Sequence, residues 1–237
     1  MTRSFGIVEE KLCEAEFFFR LLKGSSPLDF DSRFYFSAFV SAARSITLVL
    51  QATMHGVAGF ESWYHSVQEE LRADPLARFF KKVRDVSVHT GLNTLNEVPL
   101  EHVREHLMSQ SRDGRHSHVI VLPDLHGESP TVLADAVQAS EEFFKSLVMI
   151  IYKCYDQFKF IVDPRWYYTH ENFSAIGKTF EDAVVELGFP RNWASCAPEG
   201  DGGWRSLRLQ QPPCQINHIF QEYLRLCITD PDDTHQT

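Results

Sequence analysis

Apolar residues recur at helical spacing through most of the first third of the chain. Such residues at every third or fourth position predict a first helix over 8–23, a second from Asp31 to about His55-Gly56, and a third over roughly 60–72. Gly24-Ser25-Ser26-Pro27 would end the first helix, and the carboxylate of Asp31 would cap the second. The apolar positions that carry the first helix are Leu12, Ala15, Phe18, Phe19 and Leu22.

The clearest helix boundaries surround the segment RFFKKVRDVSVHTG, residues 78–91. Asp74-Pro75 combines an N-cap residue with proline at the first helical position. Gly91 suits the end of a helix because glycine adopts a left-handed backbone without strain. We therefore predict a fourth helix that begins after Asp74 and ends at or just after His89.

The pattern becomes more varied after residue 92. It predicts a helix at 99–109, a strand in HSHVIVLPD, a long helix over about 131–161, and a boundary at Pro164. After that boundary, THENFSAIGKTFEDAVVELGF is expected to be helical, APEGDGGW a loop, and NHIFQEYLRLC a short final helix. The prediction is a mainly α fold, with a helical bundle over 1–163, a small β insertion within about 92–130, and a helical extension over 164–237.

Charge is unevenly distributed along the chain. The formal net charge is −9, but residues 1–91 are neutral overall, with 11 Lys+Arg against 11 Asp+Glu, and the acidic excess lies in the remainder. A protein with a net negative charge binds polyanions weakly when only non-specific electrostatic attraction drives the binding. Any nucleic-acid contact is therefore expected in the first third of the chain.

Composition and cysteine usage indicate a soluble protein of the cytoplasm. The chain is 43% hydrophobic and 23% charged, and its five cysteines are scattered without a C-x-x-C pair. The N-terminal stretch carries glutamates where a signal peptide would be apolar. The most apolar run, residues 143–162, contains charged side chains that a bilayer core would penalise, so we expect a buried helix and no membrane contact.

The fourth predicted helix has one apolar and one charged face. At about 100° per residue, Leu76, Phe79, Phe80, Val83 and Val86 form a single stripe, and we expect Phe79, Phe80 and Val83 to be buried. Arg84 and His89 flank the opposite pole, about 140° apart. Asp85 can fix the tautomer of His89 across one turn. The cationic residues beside them are Arg78, Lys81 and Lys82.

This arrangement has a plain alternative, since any helix packed on one side carries charges on the other. The sequence around the motif favours a functional site over this simpler explanation. FYFSAFVSAARSITLVLQ followed by the motif Arg84-Asp85-Val86-Ser87-Val88-His89 resembles the HEPN family (higher eukaryotes and prokaryotes nucleotide-binding domains), with the resemblance covering roughly 8–91 and the helix at 131–161. The fold implied is an antiparallel HEPN-like helical bundle.

The resemblance implies metal-independent RNA cleavage between two protomers, with no cofactor. His89 would act as general acid or base, Arg84 would stabilise charge on the phosphate, and Asp85 would orient the site. Arg78, Lys81 and Lys82 would bind RNA. Two departures stand out: position 85 is aspartate where members often carry asparagine, and Gly91 stands where nucleotide-modified toxins can carry tyrosine. The second departure argues against regulation by that modification.

Two other patterns in the sequence indicate metal binding and are alternatives to the RNA-cleavage hypothesis. HVREH, residues 102–106, has the form of an inverted zinc-protease motif, but no further ligand or substrate scaffold accompanies it. His116 and His118 share one face of the predicted strand, and His126 follows Asp124, a set that could hold a transition metal. Exposed histidines on a hairpin are the commoner explanation.

The preferred function is an endoribonuclease in a toxin or nucleic-acid defence setting. A catalytically silent module that binds nucleotide or protein through its acidic C-terminal half is the alternative. A homodimer is expected because Arg84 and His89 of one helix do not aim at the same phosphate. A regulatory or antitoxin protein is a further possible partner.

Overall fold

The computed structural model describes residues 5–26, 29–99, 116–122, 131–198, 200–212 and 214–232. The protein is mainly α-helical, as predicted. In chain order its elements are α1 Gly6–Gly24, α2 Ser32–Met54, α3 Phe60–Ala73, α4 Pro75–Thr90, β1 Leu95–Pro99, β2 His116–Leu122, β3 Thr131–Asp135, α5 Ala136–Val162, α6 Pro164–Tyr167, α7 His170–Ala175, α8 Phe180–Glu186, a 3₁₀ helix Arg191–Cys196, α9 Asp201–Arg208 and α10 Asn217–Leu224.

The chain divides into two compact units, one formed by Glu10–Val148 and the other by Met1–Glu9 together with Met149–Thr237. These limits differ from the boundary that the sequence predicts at residue 164. The division into a bundle over 1–163 and an extension over 164–237 stays a prediction. We call the first the N-terminal unit and the second the C-terminal unit.

The predicted ends of α4 are confirmed. The Asp74 side chain accepts a hydrogen bond from the Leu76 backbone N–H at 2.9 Å, with Pro75 at the first helical position. Gly91 ends the helix at φ 70°, and its N–H donates to the Ser87 carbonyl at 3.1 Å. The cap predicted for α2 is wrong: Asp31 has a helical backbone and makes no side-chain cap bond.

Phenylalanine rings fill the core of the N-terminal unit. Phe19 of α1, Phe39 of α2 and Phe144 of α5 are fully buried, with ring centroids 5.7 to 6.3 Å apart. Phe80 of α4 contacts Phe39 edge-on and stacks on Phe143, whose centroid is 4.4 Å away. These rings join four helices through one aromatic cluster. Aromatic pairs of this kind add to the stabilisation that burial alone provides.

The three strands form an antiparallel sheet in the order β1-β2-β3. Leu95 pairs with Ile120, and Val119 with Asp135. The strand predicted within residues 116–124 is confirmed, but the long helix begins at Ala136 rather than at 131, because residues 131–135 pair with β2. Asp135 then caps α5 by accepting from the Gln138 N–H at 2.8 Å. The helix predicted at 99–109 lies outside the described residues except for Pro99, which is in β1.

The C-terminal unit contains short helices around an aromatic cluster. Residues 169–189 form two helices rather than one, because Gly177 adopts φ 68° and Thr179 starts a new helix with a capping box. The predicted loop at 197–204 is wrong in part: α9 begins at Asp201, which lets Trp204 pack against Phe173. The last helix ends at Leu224 rather than Cys227, with Arg225 left-handed at φ 59°.

Within the part of the chain that the structure describes, one helix, α2, is long and apolar enough to cross a membrane. Its most apolar stretch is 44% buried inside the protein, and core helices of soluble proteins meet the same criteria. This feature therefore assigns no location.

Candidate functional site

The predicted catalytic residues lie on the outer side of α4. His89, Arg78, Lys81 and Lys82 are exposed, while Arg84 and Asp85 are partly exposed. On the opposite side, Phe80 and Val83 are buried as predicted. The prediction for Phe79 is wrong, because its ring is only partly buried.

Arg84 and Asp85 interact with each other. Nη1 of Arg84 donates to Oδ1 of Asp85 at 3.2 Å. Among the described residues no hydrogen bond joins Asp85 to His89, and the orientation of the imidazole by that carboxylate stays a prediction. The guanidinium of Arg84 is a permanently charged donor and lies on the residue adjacent to this carboxylate.

Arg84 and His89 do not line a common pocket. Arg84 borders a small depression between α2 and α4 with Ser37, Ser41 and Ser87. His89 is not among the described residues that line it. This agrees with the wide angle expected between the two side chains on one helix.

A larger cleft of about 470 Å³ lies in the N-terminal unit, between α2, α3, α4 and the first part of α5. Four basic side chains line it: Arg44 of α2, Arg72 of α3, and Arg78 and Lys81 of α4. None of the described lining residues is acidic. We call this feature the cationic cleft. Lys82 is not among its described lining residues, although the sequence grouped it with Arg78 and Lys81.

The inner wall of the cationic cleft is apolar and closely packed. Phe80 and Phe143 stack with their planes 5° apart, and Leu147 lies beside them in α5. Tyr64 of α3 is buried and donates its hydroxyl proton to the Thr47 carbonyl of α2 at 2.9 Å. These contacts join α4 to α5 and α3 to α2 at the base of the cleft.

Two of the four cations already have neutral or anionic neighbours. Arg44 donates to the Thr47 hydroxyl at 3.3 Å, and Arg72 pairs with the exposed Glu69. Burial raises the pKa of Tyr64, against the opposing effects of its hydrogen bond to Thr47 and of the charge on Arg44. Tyr64 is therefore a neutral hydroxyl near neutral pH, and it adds no negative charge to the cleft.

Sequence reasoning found Arg78 and Lys81 but missed Arg44 and Arg72. Arg44 had a local signal, since it is the one charged residue between Phe34 and Gln51 in the apolar helix α2. Arg72 had none, because a charged residue near the end of α3 is ordinary. Their convergence with α4 depends on how the helices pack.

The structure gives no support to the metal patterns. Residues 102–106, Asp124 and His126 lie outside the described residues, as does the side chain of His116. His118 is buried in β2 rather than exposed. No group of three or more His, Cys, Asp or Glu side chains suited to a metal occurs within the described residues. The five cysteines are all free thiols.

Comparison with known proteins corrects the family assignment. The family model of bacteriophage lambda protein ea47 matches residues 25–158, more than half of the chain, and no HEPN family is detected. The HEPN resemblance was wrong because its Arg-x4-His motif is short and arises readily on the charged side of an amphipathic helix. Neither a curated protein nor a solved structure matches the chain. The protein belongs to the bacteriophage lambda protein ea47 family.

Proposed function

We propose that this protein binds single-stranded RNA through the cationic cleft. The observation that carries the proposal is the convergence of Arg44, Arg72, Arg78 and Lys81 from three helices on one cleft, with no acidic residue among its described lining. Arginine and lysine are the usual partners of phosphate groups, and arginine can bind two phosphate oxygens at once.

The charge distribution supports a local site rather than a diffuse one. The whole chain carries −9, yet all four cleft cations belong to the neutral segment 1–91. A cluster of like charges beside an apolar wall produces a local positive potential even on an acidic protein. Binding should therefore be weak in high salt and confined to this cleft.

The dimensions of the cleft favour a single strand. Its volume of about 470 Å³ lies within the range of ordinary ligand pockets and is far too small for a duplex. Gln51 and Gln68 also line it, and their side-chain amides can both donate and accept hydrogen bonds. Such groups can contact the ribose 2′-hydroxyl, which distinguishes RNA from DNA.

The proposal is tested by fluorescence anisotropy with a labelled single-stranded RNA over a range of salt concentrations. Arg44→Ala and Lys81→Ala should each weaken binding and reduce the salt slope by roughly 0.7, the value for one phosphate contact on a single strand. The matched controls are Arg33→Ala, also on α2, and Lys82→Ala, next to Lys81; neither residue is among the described cleft lining. Equal losses in the controls, or no RNA binding at low salt, would overturn the proposal.

Metal-independent cleavage of the bound RNA is a second proposal. Arg84 follows Lys81 by one turn of α4, so a strand that contacts Lys81 can also reach Arg84. His89 lies exposed at the end of the same helix, and an imidazole can act as general acid or base. Cleavage that persists in EDTA and is lost in both Arg84→Ala and His89→Ala supports it. RNA that is bound but remains intact favours a binding module.

A homodimer remains part of the cleavage proposal only. Because Arg84 and His89 diverge on one helix, a second copy would have to supply the missing group. Size-exclusion chromatography with light scattering, with and without RNA, tests this. A monomer under both conditions that still cleaves RNA would contradict it.

A further inference from the structure

The cationic cleft contains more apolar surface than phosphate binding requires. Leu48 of α2 is 52% exposed, and it lines the cleft. Leu71 of α3 and Ala77 of α4 are partly buried on the same lining. Phosphates remain hydrated and prefer the polar rim, so this interior suits a different part of the ligand.

The polar groups inside the cleft are few, and they are side-chain amides and a hydroxyl. The amides of Gln51 and Gln68 each offer a donor and an acceptor. The Tyr64 hydroxyl donates its proton to the Thr47 carbonyl and is also hydrogen-bonded by the Gln68 side chain, so Tyr64 and Gln68 form one small polar patch. An apolar wall with a small number of donors and acceptors matches a flat heterocycle, which has hydrophobic faces and a polar edge.

We infer that the cationic cleft binds one nucleobase of the RNA strand, with the phosphates beside that base held by Arg44, Arg72, Arg78 and Lys81 at the rim. The inference rests on the proposed RNA binding and adds to it that the ligand is recognised through a base as well as through charge. The cleft volume of about 470 Å³ is large enough to admit one base.

The expected effect of the base is measurable. Removing bases from a bound single strand commonly weakens binding by about tenfold for each base that contacts protein. Loss of a phosphate contact instead changes the dependence of binding on salt. The two contributions can therefore be separated in one set of titrations.

The experiment compares an RNA of roughly ten nucleotides, a length within the usual site size, with the abasic strand of equal length. The wild-type protein should bind the normal strand about tenfold more tightly than the abasic one. Leu48→Ala, which removes an exposed side chain, and Ala77→Leu, which fills the cleft, should both reduce this ratio, because each should weaken binding of the normal strand more than binding of the abasic strand. Leu92→Ala is the control, because Leu92 is similarly exposed but is not among the described lining residues.

The possible outcomes distinguish the inference from the proposal beneath it. Equal binding of both strands by the wild type would overturn the inference and leave phosphate binding intact. A ratio unaffected by Leu48→Ala and Ala77→Leu, in variants with wild-type circular dichroism and melting temperature, would also overturn it. Failure of both strands to bind would overturn RNA binding and this inference together.

Discussion

The guanidinium of Arg84 lies 3.2 Å from the carboxylate of the next residue, Asp85, and both side chains are about two-fifths exposed, at 38% and 40%. An exposed pair of this kind is held weakly, because water screens it and both side chains lose freedom in forming it. It nevertheless places an anion beside the arginine to which the HEPN resemblance gave a phosphate-binding role. A strand that reaches Arg84 must therefore compete with Asp85.

The first prediction follows from that pair. Asp85→Asn should strengthen RNA binding at low salt by roughly 1.4- to 5-fold, because exposed pairs contribute about 0.2–1 kcal/mol. The gain should shrink as salt is raised. Anisotropy titrations at two salt concentrations measure it. Asp156→Asn is the control, since it changes net charge equally at an exposed aspartate of α5. A loss of affinity in Asp85→Asn would assign the carboxylate a direct role in the site.

The second prediction concerns the glycine that ends α4. Gly91 has φ 70°, a conformation that strains residues with a β-carbon, and open space surrounds its α-carbon. Gly91→Ala should therefore lower the free energy of unfolding by about 1 kcal/mol through backbone strain alone. Urea unfolding followed by circular dichroism measures this.

Gly24→Ala is the matched control for that substitution. Gly24 ends α1 without a positive φ, and it also has nothing within contact distance of an added β-carbon. Its replacement should leave stability unchanged or raise it slightly, since alanine has less freedom in the unfolded chain. Similar losses at both glycines would contradict the strain argument.

The third prediction concerns a buried cation in the C-terminal unit. Arg208 of α9 has a side chain only 2% exposed, paired with Asp232 and Asp201. It also donates to the Tyr168 carbonyl at 3.4 Å. Arg208→Ala should lower the free energy of unfolding by about 1.5–3 kcal/mol, because it removes the charge-assisted hydrogen bonds of a buried guanidinium, although the side chain of Asp201 is itself 57% exposed.

Arg191→Ala provides the comparison for Arg208→Ala. Arg191 also pairs with a carboxylate, that of Asp182, but its side chain is 66% exposed. Its loss should cost less than about 1 kcal/mol. Both values come from urea unfolding. A small effect at Arg208 would mean that the buried pair contributes little beyond its own desolvation.

The fourth prediction is a pH dependence at Asp163. Burial raises the pKa of this carboxyl above its ordinary 3.8, although hydrogen bonds from the Tyr155 hydroxyl and the Arg165 backbone N–H act in the opposite direction. The folded state therefore holds the proton more tightly than the unfolded state. Stability from this group is greatest below the unfolded pKa and is lost as pH rises through the folded pKa.

Asp163→Asn tests that dependence, because asparagine does not titrate and keeps a side-chain oxygen as acceptor. The free energy of unfolding of the wild type, relative to the variant, should fall as pH is raised from about 4 to 7. Asp156→Asn, on the exposed side of α5, should show no comparable change. A wild-type advantage that grows with pH would reverse the sign and contradict the burial argument.

Some features of this protein were determined locally, and the sequence alone predicted them. The ends of α4 depend on Asp74, Pro75 and Gly91, each of which acts on backbone atoms within four residues of itself. The burial of Phe80 and Val83 follows from the periodicity of one helix. Local signals gave a wrong prediction where another part of the chain forms hydrogen bonds with the segment. The sequence predicted a helix that includes residues 131–135, but these residues pair with β2 and form a strand.

The candidate site was decided by tertiary structure. Arg44 and Arg72 belong to different helices from Arg78 and Lys81, and nothing in the spacing of the sequence links them. The stacking of Phe80 on Phe143 and the bond from Tyr64 to Thr47 set which faces of α2, α3 and α4 turn toward one another. Periodicity specifies which side of a helix is buried but not which helix it meets. The sequence therefore determined the cationic side of α4, and only the packing of the other helices made it one wall of a cleft.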